Sequence, residues 1–210
     1  MEMTLSDQGR KLLLDFEVGG GEPYYRKFLQ SPTWPGESSG ITIGVGFDLG
    51  YNTESQYAEA WRDKLSNEDY DRLKLPLGLK GVQAQNMLKL SPNIREVVIP
   101  WGYALDVFEN ITVPKFYLQT LRIYPQAESL PRDAQAALVS LVFNRGTALA
   151  GDRRSEMLGI QNALRDGRTH DVPDLLRSMK RLWPDTKGLQ RRRDAEAALF
   201  EEAINKGRYA

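Results

Sequence analysis

After Thr53 the pattern of apolar and polar positions is helical almost throughout. It predicts helices over 54–65, 67–73, 81–90, 101–109, 113–124, 131–144, 155–166, 171–181 and 188–203. A further helix is predicted at the start, where Ser6 or Asp7 can cap a run through Leu12-Leu13-Leu14 and Phe16 that stops at Gly19-Gly20-Gly21. Between 22 and 52 the pattern changes. Gly, Pro, Ser and Thr are frequent, Pro32 and Pro35 interrupt, and 40–47 alternates β-branched residues with glycine. That stretch predicts a small sheet of short strands or hairpins, with Thr42 on the face opposite Ile41 and Ile43. Pro114 and Pro131 sit near predicted helix starts, where a missing N–H is harmless. Loops are short, and neither a linker nor a repeat is visible. The expectation is one α+β domain over 1–210, a β-containing N-terminal lobe beside a larger helical lobe.

Composition narrows the chemistry. With 28 Lys+Arg against 28 Asp+Glu the formal net charge is zero, so no global field draws the 210-residue chain to nucleic acid or an anionic membrane. Arg153-Arg154 and Arg191-Arg192-Arg193 make the C-terminal half locally basic, but without the interleaved aromatics of a nucleic-acid face. No cysteine is present, which excludes disulfides, thiolate catalysis and cysteine-held zinc. The single histidine, His170, lies in a polar stretch that reads as a loop between helices, not as part of a triad. Apolar runs such as 138–143 are far shorter than the ~20 residues that span a bilayer. The first residues lack the basic and apolar segments of a signal peptide. The expectation is a monomer made in the cytoplasm, with no membrane, metal or cofactor.

Glu17, beside the glycine triplet, precedes the strand motif Thr42-Ile43-Gly44-Val45-Gly46-Phe47-Asp48. A carboxylic acid at the end of an apolar helix, facing a second carboxylate on a tight β-turn, gives a cleft one proton donor and one acceptor. Two such groups across a glycosidic oxygen suffice for sugar hydrolysis. Phe16 and Val18 can desolvate Glu17, which disfavours its charged form and suits a general acid. Asp48 is read as base or electrostatic stabiliser, and Thr42 as the hydroxyl that holds the attacking water. A turn-forming role for Asp48 and a helix-capping role for Asn144 beside Gly146 stand as the plain alternatives. Gly40, Gly44 and Gly46 are read as positions where a saccharide approaches the backbone closely.

Three segments together resemble the phage-type lysozyme superfamily, most of all its pesticin-like muramidase branch. Glu17 with Thr42-Ile43-Gly44-x-Gly46-x-Asp48 is similar to the family's T-I-G-x-G-x-D. The run 137–146, Ala-Leu-Val-Ser-Leu-Val-Phe-Asn-Arg-Gly, is similar to its A-L-V-S-x-x-[FY]-N-x-G helix end. Gly188-Leu189-x-x-Arg192-Arg193-x-x-Glu196 resembles its closing helix. The resemblance spans nearly the whole chain. It implies a lysozyme-like fold and a muramidase that cleaves the β-1,4 bond between N-acetylmuramic acid and N-acetylglucosamine by an inverting reaction, its carboxyls about 6.5–9.5 Å apart. It also implies Glu17, Asp48 and Thr42 as catalytic residues, Asn144 and Arg145 as substrate contacts, and Arg192 and Arg193 as supports pairing with Glu17 or another N-lobe acid. Tyr24 and Tyr25, after the glycine turn, read either as rings that stack on sugar, Tyr25 being the substrate contact chosen, or as core edge. In better-known phage lysozymes the second acid precedes the strand. Here that interval holds only Glu22 and Glu37, which stand as reserves to Asp48. The partner would be peptidoglycan. The setting would be a phage endolysin, or a bacteriocin or delivered effector toxin with an immunity or inhibitor protein, acting on the wall after release or delivery. The competing readings are a lytic transglycosylase of the same fold and a non-catalytic glycan-binding or structural module.

Overall fold

The structure, a computed structural model, describes residues 5–207. Ser6 caps helix α1 (Asp7–Glu17): its hydroxyl accepts the Gly9 N–H at 3.0 Å, and the Arg10 N–H closes on its carbonyl at 2.8 Å. A cap of this kind contributes about 1 kcal/mol by pairing a donor the first turn leaves open. The chain then divides into two compact units. One comprises the segment up to Phe16 and the chain from Pro114 on; the other is Glu17–Val113.

The second unit opens with a helix that the sequence reading missed. Helix α2 (Gly21–Phe28) occupies the start of the stretch predicted as sheet. Its Pro23 falls in the first turn, where no N–H is needed, and Glu22 pairs with Arg26 one turn on at 2.6 Å. The predicted strand 40–47 is a hairpin of β1 (Thr42–Ile43) and β2 (Phe47–Asp48), paired antiparallel as Thr42↔Asp48 and Ile43↔Phe47. Ile41 and Ile43 are fully buried and Thr42 is half-buried, as the alternation predicts. Thr33 bridges Thr42 from the other side.

Helices α3 (Glu54–Trp61), α4 (Asn67–Lys74), α5 (Gly81–Leu90), α6 (Pro92–Arg95) and α7 (Trp101–Val107) follow. Phe47 meets Trp61 edge-on at 5.7 Å, and Tyr57 stacks on Tyr70 at 4.6 Å, inside an apolar interior that includes Ile41, Ile43 and Leu49. Residues 108–112 form a π turn, which spans the break expected at 110–112 between two predicted helices. Pro114 lies just beyond it. A proline lacks the N–H of an α-helical ladder and crowds the carbonyl four residues back, and a wider turn relieves both.

In the first unit α1 is joined by α8 (Val113–Ile123), α9 (Arg132–Arg145), α10 (Ser155–Arg165), α11 (Val172–Ser178) and α12 (Lys187–Gly207). Every residue of α9 from Ala136 to Val142 is buried, so the helix is enclosed on all sides. Leu138, Leu141, Ile160, Leu176 and Phe200 belong to the core built around it. Small residues permit close approach: a Cβ on Gly9 of α1 would lie 2.4 Å from the Ala136 Cβ. The described chain is thus mostly helical with one small antiparallel sheet, α+β in the general sense.

Candidate functional site

Glu17 is the last residue of α1 and the first of the second unit, half-buried between Phe16 and the fully buried Val18. The turn behind it is tight, with the Val18 carbonyl accepting the N–H groups of both Gly20 and Gly21. Glycine is required here twice over. Gly21 has φ +63°, and a Cβ on Gly20 would sit 2.7 Å from the Tyr24 Cβ. The triplet therefore reverses the chain directly after the carboxylate.

The hairpin sets Thr42 against Asp48. Thr42 exchanges backbone hydrogen bonds with Thr33, at 2.8 and 3.0 Å, so its own N–H and C=O face away from β2. The Thr42↔Asp48 pair is accordingly of the non-hydrogen-bonded type, in which Cα atoms of opposite residues approach to about 4.5 Å and their side chains share a face. The hairpin closes through Gly44 and Gly46, at φ +58° and +73°. A Cβ on Gly44 would meet the Trp61 ring at 2.9 Å.

Asp48 has a second, architectural occupation. Its Oδ1 accepts the Gly50 N–H at 2.7 Å and its Oδ2 the Gly40 N–H at 3.0 Å, clasping the two ends of the hairpin. Burial pushes its carboxyl above the usual range. The bonds from Gly40 and Gly50, with the nearby Lys80 ammonium, pull the other way. Lys80 lies 3.9 Å over the Tyr51 ring. The turn-forming alternative read for Asp48 is therefore present whatever else the carboxylate does; the bond across the hairpin to Gly40 and the nearby Lys80 charge were not read from the sequence.

The net upward shift that burial imposes on this carboxyl, against the pull of the clasp, carries a pH signature. A carboxyl raised in the folded state holds its proton more tightly than in the unfolded chain. Its contribution to stability is full below the unfolded pKa, is lost as pH rises through the folded one, and is level above that. Thermal melts of wild type and Asp48→Asn should show the wild-type advantage shrinking as pH climbs from about 4. An advantage that grows with pH contradicts the assignment. At every pH the variant should melt lower, by about 1–3 kcal/mol, because an amide NH2 replaces one of two acceptors for buried N–H groups.

Several expected contacts need correction. Tyr25 is fully buried, its hydroxyl donating to the Ile99 carbonyl at 2.9 Å and its ring 5.1 Å from Trp101, so no ring face is open to a sugar. The exposed aromatics on α2 are Tyr24 and Phe28, 4.8 Å apart. The space beside Gly40 and Gly44 is filled by the chain itself. A Cβ on Gly40 would strike Asp48 Oδ1 at 2.2 Å, and Gly44 abuts Trp61, so neither glycine serves close approach by a saccharide. Of the reserve acids, Glu22 is held by Arg26, while Glu37 is exposed on the loop before β1 with φ +48°.

The remaining expected residues lie in the first unit. Asn144 sits at the exposed end of α9 and accepts from Arg193 at 3.3 Å; the helix is capped by Gly146, whose N–H reaches the Val142 carbonyl at 2.7 Å. Arg192 and Arg193 are buried and converge on Glu196, a residue not singled out in advance as their partner. Arg193 donates to Glu196 Oε1 at 2.8 Å, Arg192 Nε at 3.2 Å, and Ser140 Oγ at 2.6 Å. The run around 137–146 and the Arg-Arg-x-x-Glu segment thus meet through Ser140 and Glu196. Burial pushes the Glu196 carboxyl up, with both guanidiniums and Ser140 opposing it. Arg145 is half-buried with its guanidinium 4.7 Å from the Trp183 ring. His170 is exposed in a short 3-10 turn between α10 and α11.

Among the described residues no group of His, Cys, Asp and Glu could hold a metal ion, and no helix is long and apolar enough to cross a membrane. A family model described as "Domain of unknown function (DUF8812)" matches residues 12–113. The match ends at Val113, where the second unit also ends, and takes in Glu17 and the hairpin. No curated protein matches the chain.

Proposed function

We propose that this protein is a lysozyme-like peptidoglycan hydrolase, a muramidase in which Glu17 protonates the glycosidic oxygen while Thr42 and Asp48 handle the attacking water. The observation that carries the reading is the hairpin register, which pairs a hydroxyl with a carboxylate on one face of the unit that Glu17 opens. A Thr hydroxyl both donates and accepts, so it can orient a water toward an anomeric carbon. Asp48 is held by the backbone N–H groups of Gly40 and Gly50, with that of Tyr51 also acting on it, and its negative charge is placed to act on that water or on the positive charge that develops on the sugar ring. The three motifs that resemble pesticin-like muramidases supply the substrate class: N-acetylmuramyl–N-acetylglucosamine glycan. The chain acts on the cell wall after release or delivery.

The test is release of soluble fragments from purified sacculi by the intact protein. Thr42→Ala should lower turnover by about 10²-fold or more while leaving the affinity for sacculi within about threefold, since it removes a water-orienting group and no glycan anchor. Unchanged turnover would remove Thr42 from the mechanism.

One observation favours a second reading. Both Asp48 oxygens are engaged by Gly40 and Gly50, which suits a lytic transglycosylase that needs only the acid Glu17 and leaves a 1,6-anhydro product.

A further inference from the structure

Within the first unit the loop after α9 brings three guanidiniums within electrostatic reach of one another, with only the Glu156 charge acting against them on Arg145. Arg145 donates to the Arg153 carbonyl at 2.5 Å and stacks on Trp183, and Arg154 follows at once in sequence. Among the described residues, none of Arg145, Arg153 and Arg154 makes an ion pair. The acids beside them are claimed by another arginine: Arg181 binds Glu156 at 2.5 Å and Asp152 at 3.1 Å. Among the described residues the Arg145 side chain donates to the Arg153 carbonyl alone, and its buried Nε has no acceptor. Burial first, and then the Arg154, Arg193 and Arg153 charges, push the Arg145 guanidinium down to about 10. Assembling like charges at partial burial costs free energy that an anion recovers, and the planar guanidinium fork matches a carboxylate best.

We propose that Arg145, which stacks on Trp183, forms with Arg153 and Arg154 a carboxylate-binding site that takes the free acid groups of the peptidoglycan stem peptide. The identity of the ligand rests on the muramidase reading above; the anion site itself does not. A polymer of phosphates fits less well, because the cluster is small and a single tryptophan accompanies it.

The experiment titrates the intact chain, carrying Glu17→Gln so that no turnover intervenes, with a soluble stem tripeptide bearing free carboxylates. The same peptide with its carboxyls amidated, and inorganic phosphate, serve as comparisons. Binding of the free acid should exceed that of the amide by about tenfold or more, as expected for charge-assisted hydrogen bonds. It should fall to the amide's level in Arg153→Gln/Arg154→Gln, two changes outside the core, and return in part with lysine at both positions. Equal binding of acid and amide, no loss in the double glutamine variant, or phosphate bound as tightly as the peptide each overturns the proposal. Sacculus cleavage by the Glu17-bearing chain, scored separately, distinguishes failure of this site from failure of the hydrolase reading.

Discussion

Replacing Glu17 with Gln is expected to cut fragment release from purified peptidoglycan by about 10²–10⁴-fold, the usual contribution of a positioned general acid. Gln keeps the size and one acceptor of the side chain but has no proton to give at neutral pH. The loss should appear in the rate at saturating substrate as well as at low substrate, because the proton moves only in the transition state. Circular dichroism should show the helices intact, since Ser6, Leu12 and Leu13 anchor α1. A variant that retains wild-type turnover would make this a glycan-binding or structural module instead.

The largest stability effect is expected at Glu196. Removing it with Glu196→Ala takes the shared carboxylate from Arg192 and Arg193, which are 4% and 0% exposed, and an acceptor from the Ser140 hydroxyl, leaving the guanidiniums only neutral acceptors such as the Ser140 carbonyl and the Asn144 amide. Breaking a buried pair in this way costs about 3–5 kcal/mol, against about 0–1 kcal/mol for a surface pair such as Lys11–Asp15. At about 2–4 °C per kcal/mol, the melting point should fall on the order of ten degrees. Glu196→Gln, which keeps an acceptor for Ser140, should lose less. Denaturant unfolding gives the free energies, and a loss under about 1 kcal/mol for the alanine variant would show that the network is not a folding determinant.

The helices of this chain were legible because their apolar positions and caps agree. Helix α5 runs from Gly81 to Leu90 as predicted, and α9 departs from its expected limits by one residue at each end. What was not legible depended on contacts distant in sequence. Helix α2 hides behind Gly and Pro, although its Glu22–Arg26 pair was a usable signal. The π turn at 108–112 follows from Pro114, yet a proline near a helix start gives no hint of how the preceding turn adapts. Tyr25 reads like Tyr24 in sequence; only the fold buries one and exposes the other. Thr42 and Asp48 were found by pattern, but the clasp by which Asp48 holds Gly40 and Gly50 needed the hairpin register. For Arg192 and Arg193 of α12 an N-lobe acid was expected as partner; Glu196, one turn on in the same helix, was a usable signal, whereas Ser140 needed the packing of α9 on α12.

Mass spectrometry of fragments released from purified peptidoglycan in heavy-oxygen water tests the central claim most directly. A hydrolase that uses Glu17 as acid and a water held by Thr42 and Asp48 yields reducing-end N-acetylmuramic acid carrying one heavy oxygen, and none with Glu17→Gln. Unlabelled 1,6-anhydro ends would contradict the water-handling role given to the hairpin.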